Sequence, residues 1–451
     1  MLGYAKEQRS LTREQKKAVG LLSIGTFLEY VDFMLYIHMG VLLNEVFFAP
    51  TYSPYSAALL GAFSFSAPFI VRPIGALIFG WIGDRIGRKS TVIITTSIMA
   101  ISCLIIANLQ SYTRIGITAS IIVIICRILQ GMSSIGEVIG VELYFTETIK
   151  PPKSYQVVGL IGIFSVLGGT AALGLVSLIT SYGFNWRLAF WVGAGIAFIG
   201  MAARTTLRET PEFVNAKRRL TNIFNHVDED PSVFLKNPIY NENISKLTSL
   251  FLLFIDCMWP LCFYVAYIYC GDILKNSFNY STEQVIHQNF YVSIAEVGSL
   301  VILSYLSYRI HPLKILKYLN FTFFAFALIC PYLIFKATTP FELLLIQITI
   351  ISFGTSRMIG VPIFFKHFPV FKRYISVSVI HALSRALVYV ITSFGLIYLN
   401  IDHWGLIIIM TSASIGFALG INHFEKLEKK KSENYNYDKN FVDSGQSVSL
   451  T

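Results

Sequence analysis

The sequence predicts an all-α membrane protein with twelve transmembrane helices in two six-helix, pseudo-symmetric bundles and both termini cytoplasmic. Three observations carry that expectation. The first is composition: 451 residues are 54% hydrophobic and only 14% charged, with a mean hydropathy of +0.60. A water-soluble domain carries about 25% charged residues, so an ordinary soluble enzyme, a disordered chain and a disulfide scaffold are all excluded. The second is a series of apolar runs, each near or beyond the ~20 residues that a bilayer crossing needs. The third is charge placement. Of the 36 Lys and Arg, 28 fall in the two termini and in or beside every second loop, four in or beside the other loops (Arg114, Arg187, Lys275, Lys336) and four deep inside runs (Arg72, Arg127, Arg357, Arg385). That asymmetry is the positive-inside pattern, and it assigns the net charge of +10 to orientation rather than to nucleic acid.

Residues 1–18 read as a cytoplasmic N-terminal tail, with Lys6, Arg9, Arg13, Lys16 and Lys17 ahead of the first run. The first bundle occupies 19–203, with runs at 19–48, 57–82, 91–109, 115–145, 156–181 and 187–203. The first run is too long for a signal-peptide core and lacks a small-residue cleavage site, so an uncleaved helix is expected. A polar linker loop, 204–246, holds Lys217-Arg218-Arg219 and Asp228-Glu229-Asp230-Pro231. The second bundle, 247–422, has runs at 247–270, 287–307, 313–335, 341–365, 375–399 and 404–422. The remainder, 423–451, reads as a charged cytoplasmic tail without ordered structure. An internal repeat accompanies the symmetry. Gly80-Trp-Ile-Gly-Asp84-Arg85-Ile-Gly87-Arg88-Lys89 follows run two, and a degraded copy, Ser304-Tyr-Leu-Ser-Tyr-Arg309-Ile-His311-Pro312, follows run eight. Duplicated bundles of this kind can rock about a central cavity.

Charge inside an apolar run is costly and marks function or pairing. Glu29 and Asp32 lie three residues apart, on one face of run one. A buried carboxylate is protonated or paired, so the two, with Glu137, are candidates for loading and releasing a proton. The alternative is a permanent ion pair with Arg72 or Arg127. Arg127 suits a bidentate grip on a carboxylate, with Gln130 one turn away, or a structural pair with Glu137 or Asp32. In the second half, Arg357 and Arg385 are intramembrane cations, with His381 beside them and Asp256 and Glu296 as possible counter-ions. Facing a cavity, the arginines favour an anionic solute; paired with Asp256 and Glu296, they are silent on solute. Trp259, Phe263, Tyr264 and Tyr267 either pack or line a cavity that suits a quaternary ammonium. Gly159, Gly162, Gly168, Gly169 and Gly174 in run five suit close helix packing. Six cysteines lie within runs without metal-ligand spacing, and no Gly-x-x-x-x-Gly-Lys-Ser/Thr loop is present. No enzyme activity, metal or cofactor is expected.

Gly80-x-x-x-Asp84-Arg85-x-Gly87-Arg88-Lys89, with Arg72-Pro73 before it, resembles the loop 2–3 signature of the major facilitator superfamily. The likeness narrows to its metabolite:proton symporter branch, whose members carry proline and betaine, 2-oxoglutarate, citrate or shikimate. The segments that carry it are Glu29-Tyr-Val-Asp32-Phe33-x-x-Tyr36, Arg127-x-x-Gln130-Gly131…Gly136-Glu137, Trp186-Arg187 and Arg208-Glu-Thr-Pro-Glu-Phe213. It is strong over 20–215 and thins to Phe368-Pro369 and Tyr374–Ser378 afterwards. The resemblance implies proton-coupled uptake of a small carboxylate-bearing metabolite across the bacterial inner membrane, with a monomer sufficient. It implies coupling at Asp32, Glu29 and Glu137, solute contacts at Arg127, Gln130, Arg72 and Tyr36, and gating by Gly80, Asp84, Arg85, Gly87, Arg88 and Lys89. The open alternatives are an uncoupled exchanger or facilitator of the same solutes and a non-transporting sensor on the same fold. The chain has no sustained C-terminal heptads, which separates it from osmosensing relatives that carry a coiled coil.

Overall fold

The structure is a computed structural model that describes residues 7–48, 66–182, 185–205, 214–215, 243–354, 356–398 and 403–443. Nearly all of the expected linker, including Arg208–Phe213 and the charge runs at 217–219 and 228–231, lies outside the described residues. So do the side chains of Asp32, Tyr36, Arg88 and Glu137, although their backbone is helical.

The first half comprises α1 (Arg13–Phe47), α2 (Arg72–Arg85), α3 (Arg88–Asn108), α4 (Ile117–Thr148), α5 (Lys153–Tyr182) and α6 (Arg187–Thr205). The second comprises α7 (Lys246–Ser277), α8 (Thr282–Arg309), α9 (Pro312–Lys336), α10 (Pro340–His367), α11 (Val370–Tyr398) and α12 (His403–Asp443). Nine helices among the described residues are long and apolar enough to cross a membrane. The other three apolar runs coincide with α1, the described part of α2, and α6. Local chemistry sets the helix starts. Ser281 with Gln284, and Thr339 with Glu342, form capping boxes, and Pro312 and Pro340 occupy first turns, where a missing N–H costs nothing.

Two helices are broken where the run of apolar residues gives no warning. In α7, Pro260 lacks the N–H that the carbonyl four residues earlier would accept from, and a π-helical stretch, Tyr264–Tyr269, follows. The helix opening α10 stops at Phe353. Gly354 caps it against Cys262, where a Cβ would lie 2.8 Å from the Cys262 sulfur, and helical turns resume at Met358. The interruption brings Arg357 to mid-bundle, and irregular backbone at that depth survives only where protein or a cavity surrounds it.

Within the first half, α1 packs on α5 and α6, and α3 on α4 and α6; within the second, α7 packs on α11 and α12, and α9 on α12. The halves meet along two principal seams, α5 with α8 and α2 with α11. Outward-facing side chains are large and apolar, as on α9, where Phe321 is 74% and Phe335 75% exposed. Such a surface is stable only against lipid. The protein is a multi-pass membrane protein.

The start of the described chain and the first polar turns of α12 lie at one end of the bundle. Gln8 bonds to Lys150 and Pro151, and one open groove is lined by Glu7, Arg9, Tyr155, His311, Glu425 and Lys429. One expectation is corrected: the tail beginning at 423 does not lose structure there, because α12 runs on to Asp443, with Glu425–Lys429 at i,i+4 and His367–Glu428 pairs tying down its first polar turns.

Candidate functional site

Between the halves lies a narrow cavity of about 60 Å³, lined by Tyr30, Met34, Ser165, Asp256, Trp259, Phe263, Tyr267, Glu296, Arg357 and Arg385, among others. A smaller adjoining space is lined by Glu29, Tyr30, Phe69, Arg72, Trp259, His381, Arg385 and Tyr389. Tyr30, Met34, Trp259, Phe263 and Arg385 border both, so the two spaces form one site partitioned by side chains.

The aromatic wall comes from one face of α7. Trp259 stacks on Phe263 with ring centres 5.3 Å apart, and Phe263 meets Tyr267 at 5.0 Å. Spacing of i,i+4 places all three on that face. Tyr264, grouped with them in the sequence, is buried but lines neither space. Glu296 on α8 accepts from the Trp259 indole N–H (3.3 Å) and the Tyr267 hydroxyl (2.9 Å). It is not the counter-ion of Arg385. That arginine instead lies 5.8 Å from the Trp259 ring centre and donates to His381. One indole therefore separates a carboxylate from a guanidinium, and both border the cavity.

The second charge centre is wholly buried. Arg357 pairs with Asp256 through Nε (2.7 Å) and donates from Nη2 to Glu142 (2.8 and 3.2 Å). The same Nη2 lies 2.8 Å from His381 Nδ1, which is also 3.0 Å from Arg385 Nη1. The expected Arg357–Asp256 pair is present, and both residues nonetheless line the cavity, so pairing and cavity lining are not alternatives here. Glu142 was not singled out in the sequence. A carboxylate inside the apolar run 115–145 was the available signal, but nothing local indicates a partner 215 positions away.

Of the expected solute contacts, Arg72 borders the smaller space, 4.5 Å from the centre of the Phe69 ring. Arg127 and Gln130 line neither space. Arg127 donates to Gln130 (3.1 Å), and Gln130 donates to Cys103 on α3 (3.2 Å). The Gln130 side chain thus turns toward α3. Glu29 is buried and faces the smaller space. Asp32, Tyr36 and Glu137 lie outside the described side chains.

At the C-terminal end of α2, Asp84 accepts from the backbone N–H groups of Tyr374 (3.3 Å) and Ile375 (3.0 Å) in α11. Gly80 and Gly83 permit that approach, since a Cβ on Gly80 would lie 2.7 Å from Ile375 Cα, and one on Gly83 2.5 Å from the Tyr374 ring. The Tyr374 hydroxyl donates to the Gly136 carbonyl, and Arg373 pairs with Glu147 (3.1 Å), both buried. Arg85 is exposed and rests against Trp81, and Gly87 holds a φ of 136° that disfavours any side chain.

The Major Facilitator Superfamily model matches residues 22–380. The proline/betaine transporter of Escherichia coli K12 is 34% identical over 205 residues, covering 44% of this chain and 41% of that protein. The glycine betaine/proline/ectoine/pipecolic acid transporter of Dickeya dadantii is 33% identical over 205 residues, with the same coverage. The matched part thus spans about two fifths of the length of these relatives. Among solved structures, the proton:xylose symporter XylE bound to 6-bromo-6-deoxy-D-glucose superposes with a TM-score of 0.73 at 16% identity, over 91% of this chain and 95% of that one. The human organic anion transporter MFSD10 does so at 0.65 and 16%, over 92% and 100%. At such identities the likeness is one of fold.

Proposed function

The chain belongs to the Major Facilitator Superfamily, and from that premise we propose that it is a secondary active transporter. In this reading it couples inward proton flow to uptake of a small polar metabolite bearing a carboxylate, an amino acid or betaine or an organic acid. Twelve crossings, with both termini cytoplasmic, span the bacterial inner membrane. The halves rock about the central cavity, closing first one mouth and then the other.

The observation that supports this most directly is Arg385. It borders the cavity, and no carboxylate lies within ion-pair distance of it among the described residues. A solute carboxylate would supply the charge it lacks there. The Trp259–Phe263–Tyr267 wall and Glu296 stand beside it and suit a cationic group on the same solute. The curated relatives' names, proline and betaine, describe solutes of that kind. Glu29 and Asp32 are proposed to load the proton, since Glu29 faces the same space as Arg72 and Arg385.

Proteoliposomes given labelled zwitterions and mono-, di- and tricarboxylates test the proposal. Accumulation of at least one of them should follow an imposed inward proton gradient and should fall at least tenfold in Arg385→Gln. Counterflow without gradient-driven accumulation would replace symport with exchange. Binding without either would leave a sensor.

A further inference from the structure

The two arginines facing His381 settle which of its nitrogens carries a proton. A guanidinium only donates, and His381 Nδ1 lies 2.8 Å from Arg357 Nη2 and 3.0 Å from Arg385 Nη1. Nδ1 therefore presents its lone pair to both, and the ring is neutral with its hydrogen on Nε2. In that state two carboxylates, Glu142 and Asp256, balance two guanidiniums. A proton on Nδ1 would alter both counts. The cluster would gain one positive charge, and an acceptor shared by two donors would become a donor facing them. The nearest acceptor for the new N–H is Asp256 Oδ2, at 3.5 Å.

We propose that His381 is a second proton-binding site whose protonation releases Arg385 to the solute. The proton enters the Nδ1 lone pair, Nε2 keeps its hydrogen, and the imidazolium turns to Asp256. Arg385, on the same helix one turn away, loses its acceptor and is repelled into the cavity that it already borders. A solute carboxylate there restores neutrality, so proton and solute favour each other's binding. On release to the opposite compartment the proton leaves Nδ1, and Arg385 returns to it. Every packed element presents charge to this ring: Glu142 from α4, Asp256 from α7, Arg357 from α10 and Arg385 from α11. Arg72 from α2 and Glu29 and Tyr30 from α1 border the same space. The inference rests on the proposed symport, and it adds a site distinct from the carboxylates of α1.

His381→Gln keeps an acceptor for both arginines and cannot titrate. In proteoliposomes loaded with whichever panel solute the wild type accumulates, the variant should exchange that solute only at the weak, pH-independent affinity of the unprotonated state. It should lose at least tenfold of the accumulation driven by a pH gradient. Its basal solute affinity should no longer strengthen as pH falls. Undiminished gradient-driven accumulation in the variant overturns the proposal. Should His381→Gln fail to fold, ring-nitrogen NMR on ¹⁵N-histidine-labelled wild type decides. Solute addition at mildly acidic pH must convert one imidazole from the neutral Nε2–H form to the doubly protonated form, and no such change overturns it. A wild type that accumulates no panel solute under any pH gradient refutes the symport reading itself, a result that the variant cannot mimic.

Discussion

The two seams between the halves are related by the internal repeat, yet they are built from different chemistry. On the α2–α11 seam, the intact loop motif sets the Asp84 carboxylate on two backbone amides, with Gly80 pressed against Ile375. On the α5–α8 seam, the degraded copy has no acid at the equivalent point. There the Ser304 hydroxyl donates to the Gln156 carbonyl (3.1 Å), His311 meets the Tyr155 ring, and Lys153 lies over Tyr308. The glycine that permits close approach has changed sides: Gly80 belongs to the motif's own helix, whereas Gly159 belongs to the partner and faces Ser304. The seam with an ionised group depends on orientation and on local field. The other seam, neutral at that point, depends on hydroxyl bonds, ring contact and a lysine over a ring. Loss of the motif in the second half therefore leaves that seam without the carboxylate–amide bonds that join the other.

That contrast can be broken most severely at Asp84. Asp84→Ala removes two charge-assisted bonds worth about 1.5–3 kcal/mol each. Spin labels across the α2–α11 seam should show the closed distance largely lost. Unchanged distances would mean that Arg373–Glu147 and Tyr374 suffice. Gly80→Val comes next. Its branched carbon meets the Ile375 backbone, and overpacking of this sort costs roughly 1–3 kcal/mol. The same labels should report a wider seam and a lower transport rate, whereas Gly159→Ala, which meets the Ser304 side chain rather than backbone, should do less. Ser304→Ala should cost about 1 kcal/mol and leave the uptake rate within a few fold.

The smallest effect expected is that of pH on the neutral seam. Burial holds the His311 ring below its ordinary value, against the opposing pull of Glu428 and Glu425. The closed seam therefore carries neutral His311, whose Nδ1 accepts from the Leu313 N–H. Its contribution is complete above the ordinary histidine range, near 6.5, and is lost as pH falls below it, because the freed ring takes the proton more readily. Labels across α5–α8 should show slight loosening below about pH 6. No such loosening should occur in His311→Gln.

Much of the site was legible as a set of residue types without being legible as contacts. Intramembrane Asp256, Arg357, His381 and Arg385 stand out in an apolar chain, and they do converge. Which carboxylate each arginine takes did not follow. Arg385 leaves Glu296 for His381, and Arg357 takes Glu142 from the other half. Arg127 and Gln130, prominent as a motif, line neither space, and Gln130 bonds to α3.

From the residues alone came the membrane environment, the helical periods, the alternating charge of the loops and the identity of the costly buried groups. All of these are local: each depends on transferring a short segment from water to lipid. Pairing is not local. The break at Gly354, the turn of α7 beyond Pro260 and the facing of α4 toward α10 decide which charges meet. Those depend on how twelve helical elements pack at once, because a guanidinium in a low-dielectric interior goes to whichever carboxylates packing brings within about 3 Å.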